Sequence, residues 1–214
     1  QFDDHVRALE QRFPGVPSIG CIGMCYQIGV TENGVGVIAF SDGVSAAANV
    51  LEQVSVMPVK YIQRLERDVQ TVGGSGLDTV CIDFCSGNDA CVLTTINTVL
   101  HGRNIGLVGG TGDQGRVSAN GRVCRDAVAY ALVRNQNGRV KTYKENIYHQ
   151  LGSYRFVASD TDRANYILGS LNGKPAKQVY KSILHVTDEE ILTRTFQNPF
   201  GKLNGDDTCI ISIK

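Results

Sequence analysis

The residues whose types and spacing could support ligand chemistry lie between positions 105 and 116 of this 214-residue chain. An apolar run at residues 105–108 leads into glycine-rich sequence, with five glycines between positions 106 and 115. Glycine allows a backbone to bend sharply or to approach a bound molecule closely. The sequence therefore predicts a buried strand that ends in a loop able to hold a ligand.

Polar side chains next to this loop would suit a zwitterion. Arg116 can hold a carboxylate through two parallel hydrogen bonds, and Asp113 can accept hydrogen bonds from an amine. The predicted ligand-binding residues of the loop are Gly109, Gly110, Thr111, Gly112, Asp113, Gln114 and Arg116. Solvated charges on a tight turn that binds nothing would give the same sequence, so that alternative stays open.

The glycines also satisfy the G-x-G-x-x-G spacing of dinucleotide-binding proteins, at Gly110, Gly112 and Gly115. That motif needs a helix to open at its third glycine and an acidic residue about 20 positions further on. Residues 116–121 instead predict a turn, and no Asp or Glu stands at that distance. No Gly-Lys-Ser/Thr follows either. Nucleotide binding is therefore disfavoured.

The chain offers no recognisable catalytic or metal-binding motif, and we predict neither a catalytic residue nor a metal ligand. Its four histidines are scattered singly, and neither an H-E-x-x-H nor a G-x-S-x-G pattern occurs. His149, beside Tyr148 and Tyr154, is the exception. We predict it as a ligand-binding residue, with haem ligation as an alternative.

Seven cysteines, an odd number, stand mostly in apolar runs, where cysteine behaves as a small hydrophobic residue. This favours a reducing compartment and buried packing over a metal site. A cysteine-dependent enzyme with Cys81, Cys85 or Cys91 as nucleophile is the alternative from another functional class. A pure interaction or dimerisation module is a third.

Composition excludes several classes of function. Hydrophobic residues make up 42% of the chain, enough for a substantial core, and the 21 basic residues equal the 21 acidic ones. Binding to nucleic acid is disfavoured because it needs a basic face. No stretch reaches the roughly 20 apolar residues that cross a membrane. We therefore expect a cytoplasmic protein without a membrane span.

Hydrophobic periodicity and turn residues predict helices alternating with strands. Proline breaks helices, so the Ala-rich region at residues 44–69 is interpreted as two helical segments separated at Pro58. The remaining predictions are helices at residues 3–13, 88–100 and 175–184, strands at 18–23, 34–40, 79–84, 104–108, 126–133, 140–143, 166–171 and 209–214, and a turn at 120–121.

Two segments of the chain are similar to each other. Residues 19–29 and 105–115 share one isoleucine and three glycines in the same positions, and each follows a predicted helix. We therefore predict an α/β or α+β fold of two related helix-strand-loop-strand halves, with mixed sheets flanked by helices. The first copy carries Met24, Cys25 and Tyr26 and is expected to pack, whereas the second is expected to contact the ligand.

The order of these features resembles the FIST sensory domain. The resemblance is carried by residues 80–83, 105–113, 120–121, 126–133, 148–152, 171–176 and 179–180, with residues 17–21 resembling the first glycine strand of that family. Residues 198–201 and 205–206 resemble the beginning of the companion C-terminal FIST region. The resemblance implies a FIST N-like domain at residues 1–184, followed by residues 185–214 as the start of a FIST C-like region or a closing strand. Residues 24–26 depart from the family's small polar residues.

The resemblance also implies a function. It points to the sensory input domain of a bacterial signal-transduction protein, such as a chemotaxis receptor or a histidine kinase. The implied partners are a small metabolite such as an amino acid, and a signalling output domain covalently attached outside this chain; a homodimer is also compatible with it. No cofactor is expected, although some similar proteins bind haem and respond to nitric oxide.

Overall fold

The computed structural model describes residues 1–23, 25–26, 30–31, 34–56, 58–87, 90–143, 145–162, 167–204 and 207–211. The chain forms two compact units, Gln1–Tyr143 and Lys144–Lys214. The elements of the first unit are α1 (Phe2–Arg12), β1 (Ile19–Cys21), β2 (Cys25–Tyr26), β3 (Val30–Thr31), β4 (Val44–Glu52), α2 (Ile62–Val72), β5 (Thr79–Cys85), α3 (Ala90–His101), β6 (Gly106–Thr111), β7 (Val117–Ala119), β8 (Arg122–Cys124) and β9 (Ala127–Asn135).

A four-stranded mixed sheet is the centre of the first unit. Its strand order is β4-β9-β5-β6, with β5 and β6 parallel and the other pairs antiparallel. One face packs on α2 and α3, where Leu65, Val69, Ile96 and Leu100 are buried with Cys81. The other face packs on the antiparallel sheet β1-β7-β8. The predicted α/β architecture of helices and mixed sheets is therefore confirmed.

Local sequence signals explain several elements that were predicted. In α2, Leu65, Val69 and Val72 recur at helical spacing and are buried, and Gly73 ends the helix with a left-handed φ of 67°. β5 alternates strictly between buried and half-buried residues, as a strand between two packed layers should. The predicted α1, β1, α3, β9 and the turn at residues 120–121 are also confirmed.

The prediction of a helix in the first part of residues 44–69 is wrong. Val44–Glu52 forms β4, which pairs along its whole length with β9. The alanines at positions 46–48 favour a helix locally, but nine paired positions with a buried central strand outweigh that small preference. A 3-10 turn at Pro58–Tyr61 then leads into α2, so only the second helical segment is confirmed.

Two further strand predictions are wrong. Residues 34–40 and 140–143 have no regular secondary structure. In the first segment the side chains of Val35, Val37, Ile38 and Phe40 are all more than half exposed. The sequence Glu32-Asn33-Gly34 before this segment is typical of a hairpin turn, and its first two residues lie outside the described residues. A strand needs a partner for its backbone groups, and apolar sequence alone does not supply one.

The predicted strand at residues 104–108 extends further than expected. Gly109 to Thr111 continue β6 because they pair in parallel with Asp83 to Cys85 of β5. The predicted glycine loop is therefore shortened to a 3-10 turn at Asp113–Gly115. The two similar glycine segments also have different partners, since β1 pairs antiparallel with β7 in the smaller sheet.

The second unit contains β10 (Ala158–Asp162), β11 (Ile167–Leu171), β12 (Lys174–Pro175), α4 (Ala176–Leu184), α5 (Ile191–Arg194), β13 (Phe200–Asn204) and β14 (Asp207–Ile211). β10, β11 and β12 form an antiparallel sheet, and β13 pairs with β14. Val179 of α4 packs on Leu171, and Tyr180 meets the ring of Phe200 edge to face. The predicted β11 and α4 are confirmed. The predicted strand at the chain end reaches Ile211; residues 212–214 are outside the described part.

Candidate functional site

Three strands of the first unit, β1, β5 and β6, end close together, and all the predicted ligand-binding residues except His149 lie at the end of β6 or in the turn after it. β6 runs parallel to β5, so both strands end at the same edge of the sheet. The amide of Gly112 donates to the carbonyl of Cys85 at 2.8 Å, and the amide of Asp113 donates to the carbonyl of Ile22, just after β1, at 2.7 Å. Ligands of α/β proteins commonly bind at such carboxyl ends of parallel strands.

Gly109 is required by the sheet itself. A Cβ at this position would lie 2.0 Å from the carbonyl oxygen of Asp83 and 2.3 Å from its Oδ1. Asp83 is 2% exposed, and its Oδ2 accepts a hydrogen bond from the thiol of Cys85 at 3.3 Å. The sequence signal for this buried carboxylate was an acidic residue in an otherwise apolar strand, and sequence reasoning did not single it out.

The next residues differ in what they offer a ligand. Gly110 is exposed, with no atom within 4 Å of the place where its Cβ would be, and Thr111 is exposed beside it. Gly112 is buried, and a Cβ there would lie 2.9 Å from Cβ of Cys21. Gly112 therefore serves packing, whereas Gly110 and Thr111 present a surface that a ligand can approach.

The turn after β6 exposes the polar side chains that were predicted to recognise a zwitterion. Asp113 and Gln114 are both exposed. Gln114 has a φ of 57° and Gly115 a φ of 62°, so two successive residues adopt the left-handed conformation. A strand, β7, follows the turn, which confirms that the helix required by a dinucleotide motif is missing here.

Arg116 is held by two side chains in the structure. Its Nη1 donates to Oδ2 of Asp3 at 2.8 Å, and its Nη2 donates to Oε1 of Gln114 at 3.2 Å. The guanidinium lies 5.9 Å from the ring centre of Phe2, and the Arg116 side chain is 25% exposed. Its Nε is buried and has no hydrogen-bond partner within the described part of the chain. Sequence reasoning found Arg116 but missed its partner Asp3, 113 positions away.

His149 lies in the second unit. It is exposed, in the segment of residues 145–157 that has no regular secondary structure. The hydroxyl of Tyr148 donates to the carbonyl of Phe196 at 2.8 Å, and the rings of Tyr154 and Phe156 stack with their centres 6.3 Å apart. The aromatic surroundings that drew attention to His149 are thus fixed by contacts within this unit.

A shallow cavity lies at the opposite end of β6 from the glycine turn. It has a volume of about 810 Å³ and is lined by Asn97, Thr98, His101, Asn104 and Ile105. None of the predicted ligand-binding residues lines it. Asp113 and Gln114 of the glycine turn are exposed at the surface.

Cys81 and Cys85 are poor candidates for nucleophiles. Cys81 and Cys85 are at most 1% exposed. Burial raises the pKa of the Cys81 thiol far above its usual range, and the nearby Asp83 adds to the rise. The side chain of Cys91 lies outside the described residues. Among described side chains, no group of three or more potential metal ligands occurs.

No described helix combines the length and the apolar character needed to cross a membrane. Comparison with protein families matches residues 1–174 of the chain to the FIST N domain. A search of curated proteins finds none that matches the chain.

Proposed function

The chain belongs to the FIST N domain family, a family of sensory domains in signal-transduction proteins, and from this premise we propose that it binds a small carboxylate-bearing metabolite such as an amino acid. The proposed site is the end of β6 and the turn after it, with the exposed residues Gly110, Thr111, Asp113 and Gln114 and the guanidinium of Arg116. The proposal concerns sensing and not catalysis.

One observation carries the proposal: Arg116 already accommodates a carboxylate. The ion pair with Asp3 at 2.8 Å indicates that the guanidinium is accessible to a carboxylate oxygen in this setting. Exposed Asp113 stands three residues away and can accept hydrogen bonds from an ammonium group. Charge-assisted hydrogen bonds of both signs within one turn suit a zwitterion.

A sensor must also transmit occupancy. The ligand can do so only if it binds two conformations of the protein with different affinity. We expect the output domain to be carried elsewhere in the same polypeptide and the protein to act in the cytoplasm, with residues 185–214 beginning a companion C-terminal region after a sensory domain at residues 1–184. A homodimer would suit such a receptor.

A thermal-shift screen of the purified chain against the amino acids and related carboxylates tests the proposal. A ligand present at 100 times its Kd stabilises the folded state by about 2.7 kcal/mol, so a true ligand gives a shift that grows with its concentration. The corresponding amides serve as control compounds because they lack the carboxylate. Absence of a concentration-dependent shift with every carboxylate would refute the proposal.

Haem binding is a second candidate function, favoured by one observation on the second unit. Apolar side chains around His149 are exposed, with Ile147 82%, Leu151 52% and Tyr154 53% accessible. A haem could cover them while the imidazole ligates its iron. Expression with excess haem should then give a Soret band that is lost in His149→Ala and kept in His101→Ala. Colourless protein, or a band that survives His149→Ala, would remove this candidate.

A further inference from the structure

The ion pair between Asp3 and Arg116 joins the N-terminal helix to the proposed site. Asp3 is in the first turn of α1, and Arg116 directly follows the glycine turn. The contact joins one nitrogen to one oxygen, Nη1 to Oδ2. A carboxylate that meets a guanidinium face to face makes two parallel hydrogen bonds. Asp3 therefore uses only part of what Arg116 can donate.

Helix α1 is otherwise lightly attached. Among its residues only Val6 is buried, at 9% exposure. Near its other end the side chain of Glu10 lies against Gly121, where a Cβ would approach Cγ of Glu10 to 2.8 Å. An element with so few buried apolar contacts opens more readily than the core. Loss of the Asp3 contact should therefore loosen the first turns of α1.

We propose that Asp3 occupies the position of the ligand carboxylate on Arg116, and that a bound carboxylate displaces Asp3 and releases the start of α1. This inference rests on the proposed function, since it uses the same arginine. It assigns Asp3 the role of an internal competitor. The ligand then binds two states with different affinity, because only the state with α1 released has Nη1 of Arg116 free of Asp3.

The competition has a simple physical basis. Asp3 is 51% exposed and Arg116 25% exposed, so water and salt weaken their attraction. A carboxylate that takes the place of Asp3 on Nη1 and of Gln114 on Nη2 makes two hydrogen bonds to the guanidinium and can replace a partner with one. The effective concentration of Asp3 favours the closed state until the ligand concentration is high enough.

Acetate is the probe that tests this competition, because it carries a carboxylate and nothing else. The whole chain is titrated with sodium acetate and, separately, with sodium chloride at the same ionic strength. The Nε–H resonance of Arg116 reports on binding, and amide hydrogen exchange reports on α1. Asp3→Asn removes the competitor. Asp4→Asn is the matched control, since it makes the same charge change in the same helical turn, while Asp4 accepts a hydrogen bond from the amine of Gln1 and not from Arg116.

We expect acetate to bind Arg116 roughly two- to fivefold more tightly in Asp3→Asn than in Asp4→Asn. Acetate should also accelerate exchange in α1 of the native chain and of Asp4→Asn, but not in Asp3→Asn, where exchange is already fast. Equal acetate affinity in the two variants, or unchanged α1 exchange when Arg116 is occupied, would overturn the inference. A failed amino-acid screen would instead refute the proposed function, so the two failures are distinguishable.

Discussion

The carboxylate of Asp83 on β5 occupies the space that a side chain at Gly109 on β6 would need. A Cβ at Gly109 would lie 2.3 Å from Oδ1 of Asp83 and 2.0 Å from its main-chain oxygen. This fixed contact lies at the centre of the parallel strand pair that leads into the proposed site. The two glycines thus serve different purposes. Gly109 allows β6 to pair closely with β5, and Gly110 leaves an open surface at the proposed site.

The first prediction separates these two glycines. Gly109→Ala should lower the free energy of unfolding by about 1–3 kcal/mol, because the methyl group forces β5 and β6 apart. Gly110→Ala, which meets no atom within 4 Å, should change it by less than about 0.5 kcal/mol. Urea unfolding of both variants measures the difference. Equal losses would show that the Asp83 contact does not constrain the strand pair.

The second prediction concerns acid stability. The backbone amide of Ser75, the Thr79 hydroxyl and Arg134 all donate to Asp78, and together they lower its pKa to about 2. Since the folded pKa lies below the unfolded value of about 3.9, this contribution is present above pH 4 and is lost as the pH falls towards 2.

Asp78→Asn should therefore be less stable than the native chain at pH 6, with a smaller difference at pH 2.5. The matched control is Asp42→Asn, because Asp42 has a left-handed φ of 52° that asparagine tolerates equally. Denaturant midpoints at the two pH values give the result. A stability difference between Asp78→Asn and the native chain that is as large at pH 2.5 as at pH 6 would contradict the lowered pKa of Asp78.

The third prediction concerns alkaline stability. Tyr130 is fully buried, and its hydroxyl donates to Oδ2 of Asp68. Burial, and then Asp68, raise its pKa above the ordinary tyrosine value. Its stabilising contribution is therefore complete below the unfolded pKa of about 10 and decreases as the pH rises above it.

Tyr130→Phe should cost about 1–3 kcal/mol near pH 7, because a hydrogen bond to a charged group is lost and Asp68 loses a donor. The cost should shrink above pH 10. Tyr143→Phe, at a tyrosine that is 79% exposed, should stay within about 0.5 kcal/mol of the native chain. Unfolding measured at both pH values tests this, and a Tyr130 cost that is constant with pH would be inconsistent with the linkage.

The fourth prediction addresses the enzyme alternative. Cys81 and Cys85 should react with iodoacetamide in native protein only as fast as the protein opens, whereas Cys21, which is half-buried, should react sooner. Mass spectrometry of timed samples locates the labelled residues, and labelling in urea provides the reference. Rapid alkylation of Cys81 or Cys85 in the native protein would contradict this prediction and support the cysteine-dependent enzyme.

Sequence reasoning succeeded where the information is local. The spacing of Leu65, Val69 and Val72 with Gly73 behind them defines α2, and the alternation of β5 defines a strand between two layers. It failed where residues far away in the sequence determine the secondary structure. The alanines of β4 became a strand because β9, more than 75 positions later, pairs with them, and no pattern within residues 44–52 contains that partner.

The candidate site also combines features that are visible in the local sequence with contacts between residues distant in sequence. The glycines and the charged residues of the turn are visible in the sequence, and Arg116 was predicted from residue type alone. Its pairing with Asp3 and the contact of Gly109 with Asp83 are set by tertiary structure. The roles of Gly109, Gly112 and His149 in ligand binding stay predictions. Close packing against Asp83 and Cys21 is a structural reason for glycine at positions 109 and 112.

The most direct test of the central claim is the affinity of the best metabolite from the screen for two arginine variants. Arg122→Gln is the matched control for Arg116→Gln, because Arg122 also holds one carboxylate, that of Glu52, at 2.7 Å. Calorimetric titration should show affinity about 10- to 100-fold weaker for Arg116→Gln, as expected when a charge-assisted hydrogen bond of about 1.5–3 kcal/mol is lost, and near-native affinity for Arg122→Gln. Equal affinity in the two variants would contradict the account.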